Sequence, residues 1–100
     1  MADSTFDQVL KAGEKVVANS GTAEAIDSGW SFYGLSINAK AGNSGQIYIG
    51  GADVTTSTND GYAAGEGERF LFRSPTDIAG VFIDADNNGE GVDFTATLRQ

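Results

Sequence analysis

The sequence predicts an all-β fold, a single small jelly-roll-like β-sandwich of about seven to nine short antiparallel strands. Three observations predict it. Apolar and polar residues alternate with period two in several segments. Turns rich in Asn and Gly separate those segments, and the chain carries 14 glycines against one proline. No stretch longer than about ten residues holds a helical period.

Taken in chain order, the first third is the least regular. Thr5 and Gln8 have the spacing of a capping box for a short helix ending at Gly13. Phe6, Gln8 and Leu10 also alternate as a strand would, and the β character of everything that follows favours the strand. Glu14 to Ala18 and Thr22 to Ile26 read as short strands. Trp30 to Ala41 reads as one longer strand, with Leu35, Ile37, Ala39 and Ala41 on one face and Ser36, Asn38 and Lys40 on the other. Ala41-Gly42-Asn43-Ser44-Gly45 is a turn, and Ile47 and Ile49 then share a face that Tyr48 opposes. Asn59-Asp60-Gly61 is another turn. Beyond it, Phe70 and Phe72 oppose Arg69, Leu71 and Arg73. Ser74 and Pro75 have the chemistry of a helix cap and first helical residue, predicting one helical turn. Val81 and Ile83 mark the next strand, Asn87 to Gly91 a hairpin turn, and Val92, Phe94, Ala96 and Leu98 the last and cleanest alternation. The expected organisation is an N-terminal arm or edge segment over residues 1–12 and a sandwich domain over 13–100.

Composition excludes several functions. Fourteen acidic residues against six basic ones leave a net charge of −8, opposite to what nucleic acid or an anionic membrane requires. No run approaches the roughly 20 apolar residues of a membrane helix. Residues 1–20 carry Asp3, Asp7 and Glu14 and no apolar run, unlike a secretory leader. The chain has neither histidine nor cysteine, so the commonest general base and the best nucleophile are missing. Glu66 and Glu68 are close enough in sequence to suggest a glycosidase pair, but they sit in a turn leading into a strand. The expectation is a protein that is not an enzyme.

One stretch has metal-binding character. Asp84-Ala85-Asp86-Asn87-Asn88-Gly89 matches the opening of a calcium loop, in which Asp84, Asp86 and Asn88 would supply oxygens. The match ends there, because the twelfth position is Thr95 instead of Glu. Glu90 and Asp93 are the acids that would complete a different cage, and a plain hairpin loop explains the same residues. No cofactor is otherwise expected. For partner contacts the candidates are Phe6 and Leu10 near the N-terminus, Trp30 and Tyr33 in the densest aromatic cluster, and Arg69 and Arg73 flanking Leu71. Gly50-Gly51 is not a phosphate loop, since no helix follows it.

From Asn19 onward, about four-fifths of the chain resembles small bacteriophage virion proteins. The residues that carry this are Asn19-Ser20-Gly21-Thr22-Ala23, Leu35 to Asn43, Gly45 to Thr55 (GQIYIGGADVT), Asn59 to Tyr62 and Ala64-Gly65-Glu66. These are turn and strand signatures, not catalytic ones. The resemblance implies a β-sandwich of the head decoration, cement or head-fibre kind. It would sit on the outer surface of the head shell, bind the major capsid protein and be assembled in the host cytoplasm. A homo-oligomer, trimer or dimer, is expected with it. A neck, tail or fibre component and a carbohydrate-binding, receptor-recognising module are the alternatives. Asp60, inserted between Asn59 and Gly61, and the aromatic run Trp30 to Tyr33 depart from the pattern.

Overall fold

The structure is a computed structural model that describes residues 8–54, 62–73 and 76–99. Ten strands run through them: β1 (Gln8–Val16), β2 (Glu24–Ala25), β3 (Ser31–Phe32), β4 (Gly34–Ala39), β5 (Ile47–Gly50), β6 (Tyr62–Ala64), β7 (Arg69–Phe72), β8 (Thr76–Asp77), β9 (Phe82–Ala85) and β10 (Gly91–Arg99). The chain is all-β, and every pairing is antiparallel.

The pairing has a simple rule. Each strand pairs with its counterpart from the other end of the chain: β1 with β10, β2 with β9, β3 with β8, β4 with β7, and β5 with β6. The chain therefore behaves as one long hairpin. Two further pairings, β10 with β4 and β5 with β9, close that hairpin on itself. The result is a four-stranded sheet in the order β1-β10-β4-β7 and a second in the order β2-β9-β5-β6, with β3 and β8 as a separate two-stranded ribbon.

Period-two patterning fills the space between the sheets. Leu35, Ile37 and Ala39 of β4 and Val92, Phe94 and Ala96 of β10 are buried, and they join Ile47, Ile49, Ile83 and Ala85 from the second sheet in one apolar cluster. The residues between them, such as Asn38, Asp93 and Thr95, are exposed. Phe70 and Phe72 of β7 pack against the cluster while Arg69 and Leu71 point outward, as the alternation predicts.

Two expectations are corrected here, and two others gain detail. The single strand expected over Trp30 to Ala41 is broken into β3 and β4. Phe32 and Leu35 are both buried, and an odd spacing cannot place both on one face of an unbroken strand. The chain shifts phase at Tyr33-Gly34, where the Tyr33 N–H donates to the Thr97 carbonyl. The helical turn lies later than the sequence suggests. Residues Ile78–Gly80 form a short 3-10 turn, with the Asp77 carboxylate accepting from the Ala79 N–H. Thr76 and Asp77 are strand, and the expected cap and first residue, Ser74 and Pro75, lie outside the described residues. Tyr48 opposes Ile47 and Ile49 as expected but is buried too, and its hydroxyl lies 3.2 Å from an Asp86 oxygen. Residues 8–12 of the expected arm or edge segment are the first half of β1, an edge strand. Residues 1–7, with Phe6, and the Asn59 to Gly61 turn lie outside the described residues.

Candidate functional site

Two features of the first sheet and its ribbon gather the candidate contact residues. The first is a cleft of about 580 Å³ beside the β3·β8 ribbon. Trp30, Phe32, Tyr33 and Leu98 give it apolar walls, and Thr76 and Asp77 bring polar groups to it. The ribbon that borders it sets Ser31 opposite Asp77 and Phe32 opposite Thr76. Trp30 is half-buried and held on several sides. Its ring stacks on Phe94 with centroids 6.0 Å apart, its indole N–H donates to Asp27 at 3.0 Å, and the Lys11 ammonium stands 5.4 Å from the ring centroid. The Ser28 N–H, followed by the indole, holds the Asp27 carboxyl below its ordinary range. The sequence-level pair Trp30 and Tyr33 thus does meet in one place. Leu98 and Asp77 join them only through strand pairing distant in sequence.

The second feature is the pair of edges of the first sheet, β1 on one side and β7 on the other, neither of which pairs with a further strand among the described residues. Leu10 on β1 is 78% exposed and Leu71 on β7 is 51% exposed. Arg69 and Arg73 are exposed as well. Leu10 is therefore at one edge and the arginines at the opposite one, so the five candidate contact residues that are described do not form a single patch. Among the described residues the lysines are all engaged. Lys15 bridges to Glu24 at 3.0 Å, Lys40 to Glu14 at 2.6 Å and Asp93 at 2.9 Å, and Lys11 lies over Trp30. Arg69 and Arg73 form no ion pair among those residues.

Several carboxylates accept hydrogen bonds from backbone N–H groups. Glu90 accepts from the Ser44 N–H at 2.7 Å and the Gly45 N–H at 3.1 Å, and from the Ser44 hydroxyl at 2.9 Å. Those donors hold its pKa at about 2. Glu66 accepts from the Gly42 N–H and Glu68 from the Gly65 N–H, at 2.6 and 2.7 Å. Buried Asn43 makes a reciprocal pair with the Gly91 backbone, donating at 3.0 Å and accepting at 3.3 Å. Sequence inspection passes over Asn43 as a turn residue. Its position in a hairpin-like Gly-Asn-Ser-Gly turn is the signal that could have found it.

The candidate calcium oxygens are employed in the same way. Asp84 is fully buried and accepts from Gly21 at 2.9 Å and from its neighbour Ala85 at 2.8 Å. Asp86 accepts from Gln46 at 2.9 Å, and Asn88 from Ser20 at 2.7 Å. Among the described residues, no group of three or more acidic side chains is arranged to hold a metal ion. What these contacts do is tie the 19–21 turn and the 43–46 turn to the β9–β10 loop, which crosses from one sheet to the other and so is not the hairpin turn expected over Asn87 to Gly91. No family model, curated protein or solved structure matches the chain.

Proposed function

We propose that this chain is a bacteriophage virion structural protein, a decoration or cement protein that binds the outer surface of the head shell. The observation that supports it most is the strand order. With the ribbon strands β3 and β8 set aside, the remaining eight number 1-8-3-6 in one sheet and 2-7-4-5 in the other. That order supports a jelly-roll-like sandwich, an architecture used in viral capsid and lectin domains. Its chemistry suits a surface role more than a reaction, since Glu66, Glu68 and Glu90 are hydrogen-bonded to backbone N–H groups and the sequence has neither histidine nor cysteine. Its partner is the major capsid protein, and the net charge of −8 suits a position outside the shell, away from the genome. The protein assembles in the host cytoplasm and has no catalytic role.

The test is quantitative mass spectrometry of purified virions of the source phage, together with binding of the purified chain to shells that lack it. Abundance comparable to the shell protein, with saturable binding to the shells, is the expected result. A few copies per particle would move the chain to the neck, tail or fibre. Absence from virions would refute a virion role.

The cleft favours a second function, carbohydrate binding. Tyr33, Trp30 and Leu98 offer apolar surface to a sugar ring, and Thr76 and Asp77 offer hydroxyl and carboxylate groups for its hydroxyls. Trp30 is the single tryptophan, so its fluorescence reports occupancy of the cleft directly. Saturable quenching by one member of a panel of neutral oligosaccharides, lost in Tyr33→Ala, is the expected signature. A flat response across the panel removes this function.

A further inference from the structure

We propose that the first sheet continues from chain to chain, with the β1 edge of one copy pairing antiparallel against the β7 edge of the next. The interface needs only the fold and is independent of what the assembly decorates.

Direction is the first argument. The three pairings β1·β10, β10·β4 and β4·β7 are all antiparallel, so β1 and β7 run in opposite directions. A second copy set with its β1 beside β7 therefore extends the alternation without turning over, and its β1 N–H and C=O groups meet those of β7.

Apolar exposure is the second. Among the described residues, the exposed large hydrophobic ones are Leu10, Val16, Tyr62 and Leu71. Leu10 and Val16 are on β1. Leu71 is on β7, and Tyr62 lies against β7 with its ring 5.0 Å from that of Phe70. Leu10 and Leu71 lie on the same outer face of the sheet. Leu10 is paired with Thr97 across β10, and Leu71 with Ser36, which is paired in turn with Thr95. One contact covers both edges.

Charge is the third. Chains of net charge −8 repel, so association needs a local pairing of opposite sign. Arg69 and Arg73 supply the cations on the β7 side, and Glu14, which bridges Lys40 through one oxygen and is still 62% exposed, supplies the acid on the outer face of β1. Setting Arg69 opposite Glu14 places Leu71 opposite Ala12 and Arg73 opposite Leu10. Leu10 and Leu71 are then diagonal neighbours, within reach of one another. Edge strands are commonly protected by inward-pointing lysines. Here Lys11 and Lys15 point inward but are committed to Trp30 and Glu24 in their own chain, which leaves the edge able to pair.

Such an interface joins two different surfaces and so repeats head to tail, as a ring where the rotation closes and as an open filament where it does not; the ring of three or more chains is the expected form. The test is sedimentation and native mass spectrometry of the purified full chain and two variants, Leu10→Asp and Leu71→Asp. Both substitutions fall on exposed side chains, and circular dichroism verifies folding. The native chain is expected to form a ring of at least three copies, and each variant alone is expected to be monomeric. Mixed, the variants should form a 1:1 dimer and nothing larger, because each retains one intact edge. Arg69→Glu should also dissociate the ring, and adding Glu14→Arg should restore it. A monomeric native chain would overturn the interface. So would a variant that still forms rings, or a mixture that stays monomeric.

Discussion

Gly13 and Phe94 face each other across β1 and β10, and they make a quantitative test of how the sheet edge supports the cleft. A Cβ built at Gly13 would stand 2.7 Å from Phe94 Cζ and 3.1 and 3.2 Å from its two Cε atoms. The ring tip thus occupies the space a side chain would take, a cross-strand covering of a glycine by an aromatic ring. The other consequence is that the same ring stacks on Trp30. Gly13→Ala must push the ring away. Overpacking of this kind costs about 1–3 kcal/mol. Disturbing the aromatic pair adds roughly 0.5–1.5 kcal/mol. Against this stands about 0.4–1 kcal/mol from the lower backbone entropy of alanine in the unfolded chain. The net expectation is a loss of about 2 kcal/mol, or roughly 8–16 °C in Tm for a domain of this size. In a Phe94→Leu background the ring is gone, and Gly13→Ala should become neutral or slightly stabilising. Urea unfolding followed by Trp30 fluorescence measures all four corners of this cycle. Equal costs of Gly13→Ala in both backgrounds would refute the account.

The other predictions concern the polar ties and the β1 join. Asp84→Ala leaves the buried Ala85 N–H, and with it that of Gly21, without this acceptor, and should cost about 2–4 kcal/mol in urea unfolding. Because the Asp84, Asp86 and Asn88 oxygens already accept hydrogen bonds, added calcium should leave the native Tm unchanged, and a rise would show those oxygens leaving their donors. Glu90 has its pKa lowered from 4.5 to about 2, so its stabilising contribution is complete above 4.5 and lost as pH falls towards 2. Acid titration of stability should therefore flatten in Glu90→Gln over that window, and an unchanged profile would contradict the assigned hydrogen bonds. Gly91→Ala would drive its Cβ into the Lys15 carbonyl and to 2.8 Å from Val16 Cα. Amide exchange should then show lost protection at the Val16 end of β1, while Gly42→Ala, whose Cβ meets no atom within 4 Å, leaves β1 protected.

Much of the fold was legible in the chain itself. Alternation is a local property, and it found β4, β5, β7, β9 and β10 because each has one face against the core and one against water or a covering loop. Turn chemistry was equally local, since Asn and Gly favour positive φ wherever they stand, as Gly42 and Gly89 do. The two-residue strands β2, β3 and β8 are too short to show a period, so only their partners define them. The phase shift at Tyr33-Gly34 was likewise invisible, because it follows from the need to bury both Phe32 and Leu35 against elements elsewhere in the chain. The candidate contact residues divide along the same line. Trp30 and Tyr33 are close in sequence and stay close in space, whereas Leu10 and Arg69 end at opposite edges of one sheet.

The sequence by itself determined the all-β character, the inward and outward faces of the long strands, and the absence of histidine and cysteine chemistry. Only the tertiary structure decided which strand pairs with which, where the cleft opens, and which carboxylates are committed to backbone N–H groups. The physical reason is separation along the chain. Asp84 meets Gly21, Glu90 meets Ser44, and Gly13 meets Phe94, and no local pattern encodes a contact between groups so far apart.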